Sequence, residues 1–403
     1  MASKVKQVEL NIPELTGFLD HIITTNKKLQ AEGKPSVAVE VVGESGIGKT
    51  STMLQVATHQ QMNYVKLNLA QIEELGDLVG YPVRQFEMAR QIPEGEVNAG
   101  QWSMKWADEQ IVDSYKEKGY QPTGKSQMGY CPPEWIAGKK EGGILLLDDW
   151  NRADVRFIQA VMELVDRQEY ISWKLPKNWH IILTANPDNG DYMVQSIDSA
   201  QRTRFISVNL KFDVKAWGKW AEAAGIDGRC INFLMLHPEL VGQETNARSI
   251  TTFFNAISSF ASFEDNLPMI QMIGEGSVGP EFALMFTQFI NNKLDKLVSP
   301  EVMLTEPSDE KVERLLKEAI GIDHKYRADI ASVLCTRFAN YALVYAKDNS
   351  IDEKIIKRIT LLTTKEMFGN DLKYYAVREI LNGDKKKFEK LMMNPEVVKM
   401  VTK

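Results

Sequence analysis

Five short apolar runs, separated by helical or irregular stretches, recur through the first half of the chain: 36–43 (SVAVEVVG), 62–69 (MNYVKLNL), 143–147 (GILLL), 180–185 (HIILTA) and 204–210 (RFISVNL). Runs of this length and composition fit strands buried on both faces, as in a largely parallel sheet. Between the third and fourth runs, ADVRFIQAVMELVDRQ spaces Val155, Ile158, Val161, Met162 and Val165 as one helical stripe that covers the sheet. Strands alternating with such helices predict a doubly wound α/β core. From about residue 213 the pattern becomes helical throughout, interrupted at GIDGR, at 237–239 and at GEGSVGPE. In the last third, Ser299 and Pro300 read as an N-cap and first helical residue, and Ser350 with Glu353 has capping-box spacing.

Residues 86–135 fit neither pattern, mixing glycines and prolines with a predicted helix near 101–117 that carries Trp102 and Trp106. This stretch reads as an insertion, with the two tryptophans anchoring it to the core and direct contact with a partner as the competing reading. The charge run Asp384–Lys387 reads as a solvated helix face.

Composition narrows the class. A chain of 403 residues, 44% hydrophobic and 25% charged, buries a full core and accommodates more than one domain. Its net charge of -6 argues against a surface built to neutralise many phosphates, so nucleic acid is a partner without support in the sequence. Cys131, Cys230 and Cys335 are scattered, as are His21 and His59, which suggests neither a disulfide framework nor a metal ligand set. No secretory signal or membrane-spanning run is present, so a soluble cytoplasmic protein is expected, with no membrane partner.

The chemistry concentrates in a few motifs. Gly43-Glu44-Ser45-Gly46-Ile47-Gly48-Lys49-Thr50 satisfies G-x-x-x-x-G-K-[ST], follows a strand-like run and precedes the helix-compatible TSTMLQVATHQ, which includes Ser51. Such a loop turns backbone N–H groups and a helix N-terminus toward phosphates. Lys49 then reaches the β- and γ-phosphates and Thr50 ligates Mg²⁺. The strand Ile144–Leu147 ends in Asp148, placed to help hold the metal, and Asp149, placed to orient or deprotonate water. Asn186, ending the fourth run, is a third polar group for that water; an Asx turn before Pro187 is the competing reading.

These strings, GESGIGKTS, LLLDDWNRAD, DRQEYISWKLPKNWHIILTANP and SIDSAQRTRF, resemble the MoxR branch of AAA+ ATPases and its helix-2-insert relatives, which include McrB-like and midasin-like proteins. The resemblance covers roughly residues 15 to 255. It implies an AAA+ P-loop core with a five-stranded parallel sheet over 1–212, an all-helical lid over 213–298 and a C-terminal helical extension over 299–403. By it, Gly43–Thr50 are the Walker A loop, Asp148 and Asp149 the Walker B pair, and Asn186 sensor 1. Arg204, with Arg202 as the alternative, matches the arginine finger that projects into a neighbouring subunit, and Arg248 resembles sensor 2; for each arginine an ordinary surface ion pair is the competing reading. ATP and Mg²⁺ are the implied ligands. The implied assembly is a ring of identical subunits, with a hexamer implied, acting on a client or adaptor protein that often carries a von Willebrand factor A domain. Two other readings stay open: a McrB-like machine that moves nucleic acid, and a nucleotide-gated scaffold that hydrolyses little. The last draws on Asp149, which stands where the branch usually carries the longer Glu.

Overall fold

The structure, a computed structural model, describes residues 8–94, 98–190, 192–195, 198–242, 245–292, 297–321 and 325–401. The chain divides into two compact units: Met1–Leu10, Glu14–Glu44 and Lys49–Leu210 form one, and Asn11–Pro13, Ser45–Gly48 and Lys211–Lys403 form the other.

The first unit is an α/β fold around a parallel six-stranded sheet. Its strands, β1 (Val8–Leu10), β2 (Ala38–Val42), β3 (Asn63–Asn68), β7 (Gly143–Asp148), β8 (Trp179–Ala185) and β9 (Phe205–Leu210), lie in the order β1-β9-β2-β8-β7-β3. All five apolar runs are strands. The sixth, β1, escapes the sequence pattern because it is three residues long, sits at the sheet edge beside β9 and exposes Val8. Helix α1 (Ile12–Ala31) follows β1, and α2 (Lys49–His59) packs on β3 and β7.

Between β3 and β7 lies the inserted segment. It opens with α3 (Gly76–Val79) and then forms a separate antiparallel sheet of β4 (Tyr81–Gln91), β5 (Trp102–Asp108) and β6 (Gln121–Cys131), ordered β5-β4-β6, with α4 (Val112–Glu117) between the last two strands. The helix expected over 101–117 is therefore a strand over Trp102–Asp108, and only Val112–Glu117 is helical. Trp102, Met104 and Trp106 alternate with period two, so they share one face of β5. That face is open: Trp102 is 67% and Trp106 38% exposed, so neither anchors the insertion. Other indoles hold its root. Trp135 and Trp173 donate to the carbonyls of Asp77 and Leu78, 2.7 and 3.0 Å away, and pack edge to face on each other.

On the main sheet, α5 (Val155–Arg167) packs Ile158, Val161, Met162 and Val165 into one core with Val65, Leu145 and Leu147, while Val155 at its start is exposed. The short α6 (Ser199–Arg202), closed by a capping box from Asp198 and Gln201, leads into β9.

The second unit is helical among its described residues. Helices α7 (Val214–Ala223), α8 (Gly228–Leu236), α9 (Ala247–Ile257), α10 (Leu267–Ser277) and α11 (Pro280–Asn291) enclose a core in which Phe233 meets Phe282, Phe286 and Phe289. A second core joins α12 (Pro300–Thr305), α13 (Asp309–Ile320), α14 (Ala328–Asp348), α15 (Glu353–Thr364), α16 (Asn370–Gly383) and α17 (Pro395–Val401). Arg337 of α14, itself buried, ties the two cores by donating to Glu222 at 2.5 Å, to the Gly228 carbonyl at 3.0 Å and to buried Asn232 at 2.8 Å.

Ser299 caps α12 as its sequence predicts, its hydroxyl accepting from the Val302 N–H. The cap of α15 is Asp352, not Ser350: Asp352 accepts from the Ile355 N–H and stands directly before Glu353, so no capping box spans 350 and 353. Asp384–Lys387 form a turn after α16, not a helix face, and Lys387 donates to the Ala346 carbonyl. Among the described residues no helix is long and apolar enough to cross a membrane.

His180 on β8 is buried, with neither ring nitrogen hydrogen-bonded. Burial, assisted by the Lys27 charge, lowers its pKa from 6.5 to about 4. Because the folded value lies below the unfolded one, its contribution to stability is complete above pH 6.5 and is lost as pH falls toward 4. Urea unfolding across that range should show His180→Leu losing on the order of 2–3 kcal/mol less than wild type. Parallel pH profiles for the two proteins would contradict this.

Candidate active site

Gly43 continues β2 into the loop, its N–H bonded to the Ala185 carbonyl of β8 at 3.1 Å. Gly46 and Gly48 take φ of 74° and 103°, a region that β-carbon-bearing residues rarely adopt, and Lys49 then starts α2. In the first unit, buried Lys49 donates to the carbonyls of Gly43 and Glu44 and to Asn186 Oδ1, the last at 3.0 Å. Glu44 is held by the Tyr192 hydroxyl at 2.6 Å. Ser51 is exposed in the first turn of α2 and Ile47 is buried.

The loop tip belongs to the second unit, where it lies against the start of α9. A Cβ on Gly46 would stand 2.4 Å from Asn246 Oδ1 and 2.9 Å from Arg248 Cβ, so glycine is needed there for space as well as for φ. Arg248 is exposed, and Asn246 caps α9 by accepting from the N–H groups of Arg248 and Ser249. Ser45, partly buried, lies in the same tip.

Strand β7 delivers Asp148 to the end of the sheet where α2 begins. Thr50 Oγ1 donates to Asp148 at 3.1 Å from Oδ1 and 3.4 Å from Oδ2. Thr184 donates to Oδ1, and Lys66 pairs with Oδ2 at 2.8 Å. Burial alone would raise the Asp148 pKa, but hydrogen bonds from Lys66, Thr184 and Thr50, with the Lys66 charge, outweigh it and hold the carboxyl below its ordinary value.

Asp149 has φ of 53°, in the left-handed region, and its N–H donates to Thr184 Oγ1 at 3.1 Å. Asn186 Nδ2 donates to Asp149 Oδ1 at 3.1 Å, while its own Oδ1 accepts from Lys49. Asn186 therefore bridges the loop lysine and the second carboxylate. Its backbone is fixed by Asn151, which donates to the Asn186 carbonyl at 2.8 Å and accepts from its N–H at 3.2 Å. Trp150, next to Asp149, donates to buried Glu40 of β2 at 2.9 Å, and Ser207 of β9 donates to the same carboxylate. Burial raises the Glu40 pKa against the lowering effects of Ser207, Trp150 and the Arg202 charge.

The sheet thus brings Lys49, Thr50, Asp148, Asp149 and Asn186 together, and it does not bring Arg204 to them. Phe205 pairs with Ala38, at the opposite end of β2 from Gly43. Arg204 consequently lies about 20 Å from its own loop at the rise of a β-strand. It is ion-paired with Asp166 at 2.7 Å and is partly exposed. Thr184, Asn151 and Lys66 were not predicted from sequence; of these, only the lysine inside a strand run carried a signal of its own.

The donor set suits a small hard cation: one hydroxyl and one carboxylate in mutual contact leave room for phosphate oxygens and water as further ligands. Among the described residues, no cluster of three or more His, Cys, Asp or Glu forms a metal site of the all-protein kind.

No protein-family model matches the chain, and no curated protein matches it. Solved structures similar to it include two mutant forms of Thermotoga maritima RuvB, each 12% identical, each covering 78% of this chain and 85% of the other, with TM-scores of 0.34 and 0.35. A third form, also 12% identical, covers 85% of this chain and 91% of the other with a TM-score of 0.33. At these values the likeness adds no weight to the site, which stands on its own geometry.

Thr184 both donates to Asp148 and accepts from the Asp149 N–H. Thr184→Val keeps the shape and leaves that amide unpaired, so it should cost about 1–3 kcal/mol in denaturant unfolding, with Thr184→Ser close to wild type. Equal stability of the valine variant and wild type would show that the hydroxyl is dispensable.

Proposed function

We propose that this chain is a Mg²⁺-dependent ATPase of the AAA+ class that works as a ring and remodels or activates a partner protein, as in the MoxR branch its motifs resemble. The observation that carries the reading is the connected set Lys49–Asn186–Asp149 beside Thr50–Asp148, at the end of the parallel sheet where a glycine loop meets a helix N-terminus. Backbone N–H groups of the loop and the Lys49 ammonium bind the phosphates. Thr50 and Asp148 are the residues that would hold magnesium, which when bound neutralises charge on the β- and γ-phosphates. Asp149 orients the attacking water and accepts its proton, and Asn186 fixes Asp149 through its amide.

Arg204 supports the ring. It stands at the far end of the sheet from its own loop, so a role at a γ-phosphate is a role at a neighbour's. Arg202 and Arg248, both exposed, are the further arginines of the proposal, the latter beside the loop tip. A second reading, a nucleotide-gated scaffold with slow turnover, is favoured by Asp149 itself: its side chain is one methylene shorter than Glu and is already engaged by Asn186.

Lys49→Ala should abolish ATP binding in calorimetry while the protein remains folded by circular dichroism; undiminished binding would remove the phosphate-loop assignment. Mixing Arg204→Ala with Lys49→Ala subunits, each inactive alone, should restore part of the ATPase activity at mixed interfaces. A mixture that co-assembles and stays inactive would argue against an arginine acting in trans.

A further inference from the structure

Lys66 has no part in the hydrolysis just described. It stands on β3, an edge strand of the main sheet, where Val65 and Leu67 pack into the core and the alternate positions Tyr64, Lys66 and Asn68 share the other face. Its ammonium reaches Asp148 Oδ2 at 2.8 Å. The two partners differ in environment: the Asp148 side chain is 9% exposed and that of Lys66 is 40% exposed. Asp148 is thus fixed, whereas a long flexible stem at the sheet edge can carry its charge out to water at little cost.

The two oxygens of Asp148 are also used differently. Oδ1 accepts from both Thr184 and Thr50, whereas Oδ2 holds the Lys66 ammonium and has Thr50 only at 3.4 Å. Oδ1 is already engaged by two hydroxyls, so Oδ2, the oxygen that Lys66 holds, is the one with capacity left for a divalent cation that binds Thr50 and draws on Asp148, directly or through its water shell.

We propose that Lys66 is a tethered cation that competes with magnesium for Asp148 Oδ2, and so sets how much free Mg²⁺ the chain needs before it binds nucleotide. The inference rests on the ATPase reading above and adds a control on the same site. Without metal, Lys66 neutralises a carboxylate that is otherwise buried beside a phosphate-binding loop; with metal bound, it gives up that contact and turns to solvent. Lys49 cannot substitute for it, because Lys49 is engaged by the loop carbonyls and Asn186.

The test is a Mg²⁺ titration of binding of the hydrolysis-resistant analogue AMP-PNP, followed by calorimetry, on wild type, Lys66→Met, Lys66→Gln and Lys66→Arg. Lys66→Met and Lys66→Gln should each lower the Mg²⁺ concentration at half-maximal binding by about three- to fivefold, the upper part of the range for a solvent-screened ion pair. Lys66→Arg should stay close to wild type. The glutamine variant keeps a polar stem, so agreement between the two neutral variants assigns the effect to charge. An unchanged or raised Mg²⁺ midpoint in the neutral variants overturns the competition while leaving nucleotide binding intact. No Mg²⁺-dependent binding by wild type overturns the nucleotide reading and this inference together.

Discussion

The carboxylate of Asp148 is the group on which the arrangement depends. A buried charge is costly unless several donors surround it, and here Thr50, Thr184 and Lys66 do so from three separate elements: the start of α2, the end of β8 and the edge strand β3. Meeting its needs therefore fixes the loop-helix junction against two strands. The same requirement passes one residue along the chain. Thr184 takes the Asp149 N–H, which holds that residue in a left-handed turn, and the turn aims its side chain at Asn186.

Behind this front lies a second polar layer. Glu40, inside β2, receives hydrogen bonds from Trp150 and Ser207, linking the strand that feeds the glycine loop to the residue after Asp149 and to β9. Because β9 begins just beyond Arg204, the buried carboxylate connects the carboxylate end of the site with the segment that carries the candidate trans arginine. Asn151 does similar work for Asn186. Positioning groups of this kind set the precision of a site while remaining out of reach of its ligand.

What was legible in the sequence was what is written in consecutive residues. The glycine loop, the strand ending in two aspartates and the five apolar runs are local patterns, and each lies where local physics puts it. The partners of Asp148 and Asn186 come from elements far apart in sequence, and single threonines or asparagines in a strand or turn carry no pattern of their own. The insertion misled for a different reason: Trp102, Met104 and Trp106 alternate as a strand, but the surrounding glycines and prolines obscured a period of only three repeats. Strand β1 was missed because three edge residues leave no apolar run, and the cap of α15 because an aspartate next to the helix outcompetes a serine two positions earlier.

The most direct test of the whole account is an experimental structure of the chain with AMP-PNP and magnesium. The expected result is triphosphate density at Lys49 and Thr50, with the cation between Thr50 and Asp148 and the γ-phosphate facing Asp149 and Asn186. A nucleotide bound elsewhere on the molecule, with Lys49 still turned to the carbonyls of Gly43 and Glu44, would contradict it.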